Sequence, residues 1–165
     1  MKNFDEVIIR KAAVGDTAPV MEIIKETGFF RSVEEEVACE VLEEAAAAKH
    51  GCSYQSYVAV NGGKVAGWVC FGSTPCTLGT FDIYWIAVDP EIQRSGIGSK
   101  LLKFSEQEII TQKGRLIVIE TSGTEKYRKT QKFYEGNGYR LNCIVDDFYA
   151  DGDGKMIYVK KISGD

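Results

Sequence analysis

The spacing of hydrophobic and polar positions changes about a third of the way along the chain, from a helical period to a strand-like one. An apolar run at residues 7–11 predicts a first strand. Val20, Ile23 and Ile24 then lie on one face of a predicted helix that ends at Gly28. A second helical stripe follows at Val33, Val37, Val41 and Ala45, after a capping-box pattern at Ser32 and Glu35. This part of the chain predicts one strand and two helices.

The rest of the chain predicts six strands and two helices. Asn61-Gly62-Gly63 separates two of the strands and is a strong hairpin signal, because these residues tolerate positive φ. The predicted strands cover 54–60, 65–71, 80–88, 115–121, 139–145 and 155–162, and the predicted helices cover 98–113 and 125–136. The order is β-α-α-β-β-β-α-β-α-β-β, which indicates an α/β fold with a mixed central β-sheet flanked by helices.

Length and composition are typical of one soluble domain that spans residues 1–165. The chain is 44% hydrophobic and carries a net charge of -4. Nucleic-acid binders present a basic surplus, so DNA or RNA is not an expected partner. No window approaches the roughly 18 apolar residues of a membrane span, and the N-terminal residues include acidic side chains. We therefore expect neither a membrane partner nor a targeting segment.

Five widely spaced cysteines and a single histidine, His50, exclude several kinds of chemistry. One histidine without a C-x-x-C pair cannot build a zinc site, and we expect no metal. An odd number of scattered cysteines fits reduced thiols in the cytoplasm. Each cysteine is most simply interpreted as a small buried hydrophobic side chain.

The clearest chemical signal lies between the predicted strand 80–88 and the helix that follows it. The segment reads Gln93-Arg94-Ser95-Gly96-Ile97-Gly98-Ser99. Glycines allow consecutive N–H groups to point into one concavity, and a helix N-terminus adds a partial positive charge. Such a turn suits a phosphate or pyrophosphate. A Rossmann fingerprint would need a glycine at Leu101, and a P-loop would need Gly-Lys-Ser/Thr, which this chain lacks.

Two motifs of this chain resemble those of the GNAT superfamily of N-acetyltransferases. Residues 93–98 match its Q/R-x-x-G-x-G/A signature and follow a strand that ends in Ala-Val-Asp-Pro. Residues 132–139, Lys-Phe-Tyr-Glu-Gly-Asn-Gly-Tyr, resemble its F/L-Y-E-x-x-G-F/Y segment. The order of elements is also similar to that of the family. The resemblance covers essentially the whole chain, and it implies a GNAT-like fold and an acetyl-CoA-dependent acyltransferase.

The resemblance also implies which residues hold the cosubstrate acetyl-CoA. Backbone amides of the glycine turn would bind the pyrophosphate, and the end of the preceding strand would pair with the pantetheine arm. The implied cofactor-binding residues are Ile86, Ala87, Val88, Gln93, Arg94, Ser95, Gly96, Ile97, Gly98 and Ser99. The chain departs from the family at Tyr127, where many relatives have an asparagine that contacts the cofactor.

Two residues carry the expected proton transfers. Tyr134 matches the tyrosine that in many relatives protonates the departing CoA thiolate. An amine attacks only when neutral, so a base must accept its proton. Asp82 matches the strand glutamate that serves as base in the histone-acetylating branch, and the alternative is a plain surface carboxylate. Glu120 is the second candidate, as base or as acceptor-amine ligand. The N–H of Val88 could stabilise the oxyanion of the tetrahedral intermediate.

Acceptor recognition has the weakest signal. In this fold the loop between the first two helices and the loop between the last two strands usually frame the acceptor, and here they contain Arg31 and residues 146–149. Arg31 could bind the carboxylate of an amino-acid acceptor or be an ordinary surface arginine. The aspartates of 146–149 could attract a polyamine or form a solvated turn. The candidate substrate-binding residues are therefore Arg31, Glu120 and Phe148.

These patterns predict an N-acetyltransferase that moves the acetyl group of acetyl-CoA to a primary amine of a small molecule, amino-acid-like in particular, or of a peptide. The alternative is a non-catalytic acyl-CoA-binding module with a regulatory role. Tyr134 and Asp82 favour the enzyme, because a binding module needs neither. A homodimer, common in such folds, is a further expectation.

Overall fold

The computed structural model of the protein describes residues 7–47 and 51–162. The strands are β1 (Ile8–Lys11), β2 (Tyr54–Asn61), β3 (Lys64–Ser73), β4 (Thr80–Val88), β5 (Leu116–Ser122), β6 (Arg140–Ala150) and β7 (Asp153–Lys161). The helices are α1 (Thr17–Thr27), α2 (Ser32–Ala46), α3 (Ile97–Thr111) and α4 (Arg128–Gly136). The predicted order of elements is confirmed. The seven strands form one mixed sheet in the order β1-β2-β3-β4-β5-β7-β6.

The described residues belong to two compact units. Unit 1 contains the chain up to Gly72 together with Trp85–Ser105, and unit 2 contains Ser73–Tyr84 and the chain from Glu106 onward. Strand β4 therefore begins in unit 2 and ends in unit 1. The glycine turn with the end of β4 belongs to unit 1, whereas Asp82, Glu120, Tyr134 and Phe148 belong to unit 2.

In unit 1, β1, β2 and β3 form an antiparallel meander. Ile8 pairs with Val60, and β2 and β3 are joined at the predicted hairpin. Both turn glycines, Gly62 and Gly63, have positive φ, of 56° and 78°. This backbone matches the twist of the two strands, and side chains with a Cβ rarely adopt it. The hairpin prediction is confirmed.

The core of unit 1 is built between this meander and the first two helices. Val20, Ile23 and Ile24 are buried as the pattern predicts, and α1 ends at Gly28 with φ of 65°. The core also contains the fully buried Trp68, whose indole Nε1 donates to Ser56 Oγ at 2.6 Å. The burial of these apolar side chains is the main stabilising contribution to the unit.

Helix α2 lies where the sequence predicts it, but its N-cap residue and its buried face differ from the prediction. Arg31, not Ser32, is the N-cap, and its N–H donates to Glu34 Oε2 at 2.8 Å. The capping role therefore lies one residue earlier than the pattern at Ser32 and Glu35 indicated. The buried side chains are Ala38, Val41 and Leu42, whereas Val33 and Val37 are exposed. The helix ends at Ala46.

Helix α3 packs closely on unit 1 because residue 67 is a glycine. A Cβ at Gly67 would lie 2.9 Å from the carbonyl oxygen of Ala87 and 3.1 Å from Leu101. Ile97, Leu101 and Leu102 are buried on the inner face of the helix. This close approach holds the N-terminus of α3 beside the end of β4, where the glycine turn lies.

In unit 2, β5 lies between a parallel and an antiparallel neighbour. Thr80–Ile83 of β4 pair with Leu116–Ile119, and Leu116–Ser122 pair with β7 in antiparallel register. Ile117 and Ile119 are almost fully buried, whereas Leu116 and Val118 are half-buried and Glu120 is exposed. The outer strand β6 pairs only with β7 among the described residues.

Strand β6 is longer than predicted, and residues 146–149 belong to it rather than to a loop. The pairing passes from Val145↔Lys155 to Ala150↔Asp153, so β6 contains a large bulge. Asp147 has φ of 53°, and its carboxylate accepts from the N–H of Gly152 at 2.7 Å. This hydrogen bond stabilises the bulge. The bulge in turn determines the position of Phe148.

Candidate active site

The turn before α3 presents unpaired backbone donors. Gly96 has φ of 85° and Arg94 has φ of 68°, so the chain turns sharply before the helix begins at Ile97. The N–H of Lys100 donates to the Gly96 carbonyl at 3.0 Å and begins the helical pattern. The N–H groups at positions 97–99 therefore have no intrahelical acceptor, which is the usual state of a first turn. Together with the helix dipole, they form an anion-binding end.

Ser95 adds a second observation at this turn. Its Oγ is buried, yet it makes no hydrogen bond within the described residues. A buried hydroxyl without a partner costs free energy, about 1–3 kcal/mol. A phosphate oxygen bound in the turn would provide the acceptor. The residues present thus fit the pyrophosphate of a CoA.

The end of β4 leads directly into this turn. Ile86, Ala87 and Val88 are its last three residues, and only Ala87 is buried. The side-chain amide of Gln93 donates to the carbonyl of Val88 at 3.3 Å. Gln93 therefore contacts the end of β4 through its side chain.

Tyr134 lies on α4 in the aromatic core of unit 2. Its side chain is 5% exposed, and its ring centroid lies 5.9 Å from that of Tyr158 and 6.2 Å from that of Tyr139. Burial raises the pKa of the Tyr134 phenol well above its ordinary value. The group therefore stays protonated at neutral pH and can act as a proton donor.

Asp82 is half-buried on β4 and is hydrogen bonded. The hydroxyl of Thr74 donates to its Oδ2 at 2.5 Å. Because Asp82 pairs with Val118 in the parallel ladder, its side chain lies on the same face of the sheet as Val118 and Glu120. The two candidate bases thus share one face of neighbouring strands.

Glu120 and Phe148 meet through a residue that the sequence did not single out. The Nζ of Lys155 lies 3.0 Å from Glu120 Oε2 and 3.8 Å from the ring centroid of Phe148. The side chain of Lys155 is only 14% exposed, whereas that of Glu120 is 46% exposed. We call Glu120, Lys155 and Phe148 the β5–β7 charged cluster. Only the strand register and the bulge bring these side chains together, so no sequence spacing indicates it.

Arg31 is placed differently. Its Nε donates to Glu34 Oε2 at 3.1 Å across one helical turn, and its side chain is 71% exposed. An exposed ion pair of this kind contributes little to stability.

The cysteines do not share one environment. Cys70 is buried, and burial raises the pKa of its thiol, as expected for a small hydrophobic side chain. Cys76 and Cys143 are exposed, so the interpretation as buried hydrophobes was wrong for them. All five cysteines are free thiols.

Metal-ligating clusters and membrane-spanning helices are both missing from the part of the chain that the structure describes. Across 7–47 and 51–162, no group of three or more His, Cys, Asp or Glu side chains is arranged to hold a metal ion. No helix in these ranges combines the length and the apolar character needed to cross a membrane.

Comparison with known proteins identifies the class to which this fold and this turn belong. The family model of the acetyltransferase (GNAT) domain matches residues 52–141, which is more than half of the chain. The chain belongs to the GNAT family of acetyltransferases, as its motifs predicted. Members of this family use acetyl-CoA.

Individual relatives support this assignment to different degrees. A crystal structure assigned to the GNAT family, from Desulfovibrio desulfuricans, is 38% identical, covers 94% of this chain and 99% of its own, and has a TM-score of 0.88. The S-(2-succino)cysteine N-acetyltransferase of Bacillus subtilis is 32% identical over 69 residues, and this match spans 42% of this chain and 42% of that relative. The ribosomal-protein-S18-alanine N-acetyltransferase of Escherichia coli is 20% identical, covers 97% of this chain and 96% of its own, and has a TM-score of 0.77. This last similarity is one of fold.

Proposed function

We propose that this protein transfers the acetyl group of acetyl-CoA to a primary amine of a small molecule or a peptide. The observation that carries the proposal is the turn before α3, with its unpaired amides, positive-φ Gly96 and unpartnered Ser95 hydroxyl, in a chain of the GNAT family. Bound acetyl-CoA supplies the acetyl thioester. The chain's own residues bind it, orient it and move protons.

The cradle for the pyrophosphate is the first turn of α3. The amides from Arg94 to Ser99 would donate to the phosphate oxygens, except that of Ser95, which donates to the carbonyl of Ile92 at 3.3 Å. The hydroxyl of Ser95 would add a further donor. The main chain of Ile86, Ala87 and Val88 would pair with the amide groups of the pantetheine arm. The side chain of Gln93 supports this stretch through its bond to the Val88 carbonyl.

Tyr134 is the proposed general acid. Its raised pKa keeps the phenol protonated, and its hydroxyl makes no hydrogen bond to another described side chain, so the proton is available for a leaving thiolate. The rings of Tyr139 and Tyr158 hold Tyr134 in one orientation.

Asp82 is the proposed general base, and Glu120 is the second candidate. The Thr74 hydroxyl occupies Asp82 Oδ2 and leaves the second carboxylate oxygen, Oδ1, to accept a proton from the amine, directly or through water. Glu120 is already paired with Lys155, whose Nζ lies 3.0 Å from its Oε2. The backbone N–H of Val88 would stabilise the oxyanion.

The acceptor class and the compartment rest on two other observations. The name of the Bacillus subtilis relative gives an amino-acid derivative as its acceptor, which favours an amino-acid-like amine here. Five free thiols fit a reducing compartment such as the cytoplasm. The homodimer and the single 1–165 domain stay predictions.

Release of free CoA thiol from acetyl-CoA tests the function. Purified protein is incubated with acetyl-CoA and panels of amino acids, polyamines, aminoglycosides and peptides. Amine-dependent thiol release, with the acetylated amine identified by mass spectrometry, is the expected result. If CoA binds but no amine in any panel is acetylated, the non-catalytic acyl-CoA-binding alternative replaces the enzyme.

A further inference from the structure

The β5–β7 charged cluster contains a lysine whose hydrogen-bonding capacity is only partly used. A lysine ammonium has three N–H donors. Among the described residues, Lys155 Nζ donates to a single acceptor, Glu120 Oε2 at 3.0 Å. Its other near neighbour is the face of Phe148, which attracts a cation without accepting a conventional hydrogen bond. The side chain of Lys155 is 14% exposed.

Lys160, on the same strand, is a lysine with a structural role, and it has a protein acceptor for each of its N–H donors. Its Nζ donates to both carboxylate oxygens of Glu106, at 2.8 and 2.9 Å, and to the carbonyl of Asn137 at 3.0 Å. All three of its donors are thus satisfied by the protein. Lys155 is more buried than Lys160 and has fewer protein acceptors. A bound ligand could therefore accept hydrogen bonds from its unused donors.

Two other carboxylates of this region are engaged elsewhere. Asp147 accepts from the N–H of Gly152, and Asp153 accepts from the hydroxyl of Ser122 at 2.6 Å. Neither has a hydrogen bond to Lys155. Among the described residues, Lys155 therefore has no protein acceptor for its other N–H donors.

We propose that Lys155 binds a carboxylate of the amine acceptor, so that the acceptor class is amino acids and their derivatives. This inference rests on the proposed acetyl transfer and adds the group that selects its substrate. A carboxylate fits because it brings two acceptor oxygens and a charge opposite to that of Lys155. Phe148, half exposed beside the ammonium, offers an apolar surface to the rest of the acceptor.

Glu120, which pairs with Lys155, gives the cluster a negative charge beside a positive one, so the cluster is complementary to a zwitterion. Glu120 is about half exposed, so one side of its carboxylate faces solvent and can pair with the ammonium of an incoming amino acid. The acceptor then places its two charges against two opposite charges of the protein. Because Asp82 lies on the same face of the neighbouring strand, the amine is held on the side of the candidate base. Arg31, by contrast, has its guanidinium in a surface pair with Glu34, and we assign it no role in carboxylate binding.

Matched acceptor pairs test the proposal without any variant. Each pair consists of an amino acid and the amine left after its carboxyl group is removed, such as phenylalanine with phenethylamine and leucine with isoamylamine. The expected kcat/KM of the wild-type protein is roughly 10- to 100-fold higher for the amino acid, the range that one charge-assisted hydrogen bond provides. Equal rates within a pair overturn the proposal.

Variants then ask whether Lys155 is the residue responsible. Lys155→Gln is expected to raise KM for the amino acid by roughly 10- to 100-fold, with little change in kcat or in either parameter for the decarboxylated amine. Lys155→Arg should keep the preference, because the charge remains. Lys161→Gln, an exposed lysine of the same strand, is the control and should change nothing. A preference for the carboxylate that persists in folded Lys155→Gln overturns the assignment.

Binding measurements separate this inference from the proposed function. Calorimetry of the same acceptor pairs with CoA-loaded protein requires no turnover. If no amine is acetylated but the wild-type protein binds the amino acid more tightly than its amine, and Lys155→Gln does not, acetyl transfer fails and the carboxylate site stands. If acetylation occurs without any difference within the pairs, the carboxylate site fails and acetyl transfer stands.

Discussion

The phenol of Tyr134 and the carboxylate of Asp82 have opposite roles in the proposed reaction, and each role has its own kinetic signature. Tyr134 is buried among aromatic rings, and its raised pKa keeps the proton on the oxygen. Asp82 is half-buried and has one oxygen occupied by Thr74. An acid and a base placed in such different surroundings can be tested separately.

Replacement of Tyr134 by phenylalanine removes the donor and keeps the ring. We expect kcat to fall by roughly 10²- to 10⁴-fold, the usual contribution of general acid catalysis, while the Kd for CoA stays unchanged. Steady-state kinetics with calorimetry of CoA binding checks this. Tyr158→Phe, which removes a hydroxyl bonded to Glu135 in the same aromatic group, is the matched control. Full activity in Tyr134→Phe would exclude it as the acid.

Asp82→Asn is expected to lower kcat/KM most near neutral pH. At high pH more of the acceptor amine is already neutral, so less help from a base is needed and the loss should shrink. A pH–rate profile of the variant against the wild-type protein measures this recovery. A defect of constant size across the profile would move the role of base to Glu120 or to water.

Two elements decide where the cosubstrate binds, and both depend on glycine. Gly67 allows α3 to approach the end of β4, and Gly96 allows the sharp turn that exposes the first amides of α3. Around Gly96 a Cβ would meet no atom within 4 Å, so the constraint there is the φ of 85° and the space that a ligand needs. Glycine is thus required for different reasons at the two positions.

Gly96→Glu should weaken CoA binding by at least about tenfold, because the new side chain brings a negative charge and bulk to the phosphate cradle. Gly63→Glu is the matched control. Gly63 also has positive φ, of 78°, and open space at its Cβ, but it lies in the β2–β3 hairpin. Both variants carry the same kind of backbone strain, and only Gly96→Glu should lose affinity in calorimetry. Equal CoA affinity in the two folded variants would refute the assignment of the cradle.

At the level of the whole molecule, buried tyrosines link folding to alkaline pH. Burial raises the pKa of Tyr134, of Tyr139 and of Tyr158, the last to about 12. For Tyr139 and Tyr158 a nearby glutamate adds to the effect. In the unfolded chain these phenols titrate near pH 10. The folded state therefore holds its phenolic protons more tightly than the unfolded state does.

The sign of this linkage predicts a loss of stability in alkali. The contribution is fully present below about pH 10 and is lost as the pH rises through the folded pKa values, because ionisation then favours the unfolded chain. Urea unfolding at several pH values, with phenolate absorbance as a second probe, measures both quantities. The Tyr158→Phe variant should show a shallower decline. Titration of Tyr134, Tyr139 and Tyr158 near pH 10 in the folded protein, assigned by the phenolate absorbance lost in each Tyr→Phe variant, would contradict this prediction.

Much of this protein follows from local sequence alone. The order of elements, the Asn61-Gly62-Gly63 hairpin and the apolar stripe of α1 are determined by periodicity and by backbone preferences that act over a few residues. The glycine turn before α3 and the tyrosine segment of α4 are contiguous motifs, so the order of residues along the chain is enough to identify the family. In these cases the physical cause lies within a short stretch of the chain.

Only the tertiary structure determined the features that depend on contacts between residues far apart in the chain. Which face of α2 is buried was set by packing, so Ala38, Val41 and Leu42 face inward and Val33 does not. The bulge in β6 required the register between β6 and β7, and no local turn pattern at 146–149 indicates it. The meeting of Glu120, Lys155 and Phe148 depends on three strands and on that bulge. Sequence patterns report short-range preferences, whereas strand register and side-chain pairing arise from contacts between residues far apart in the chain, and the charged cluster is of the second kind.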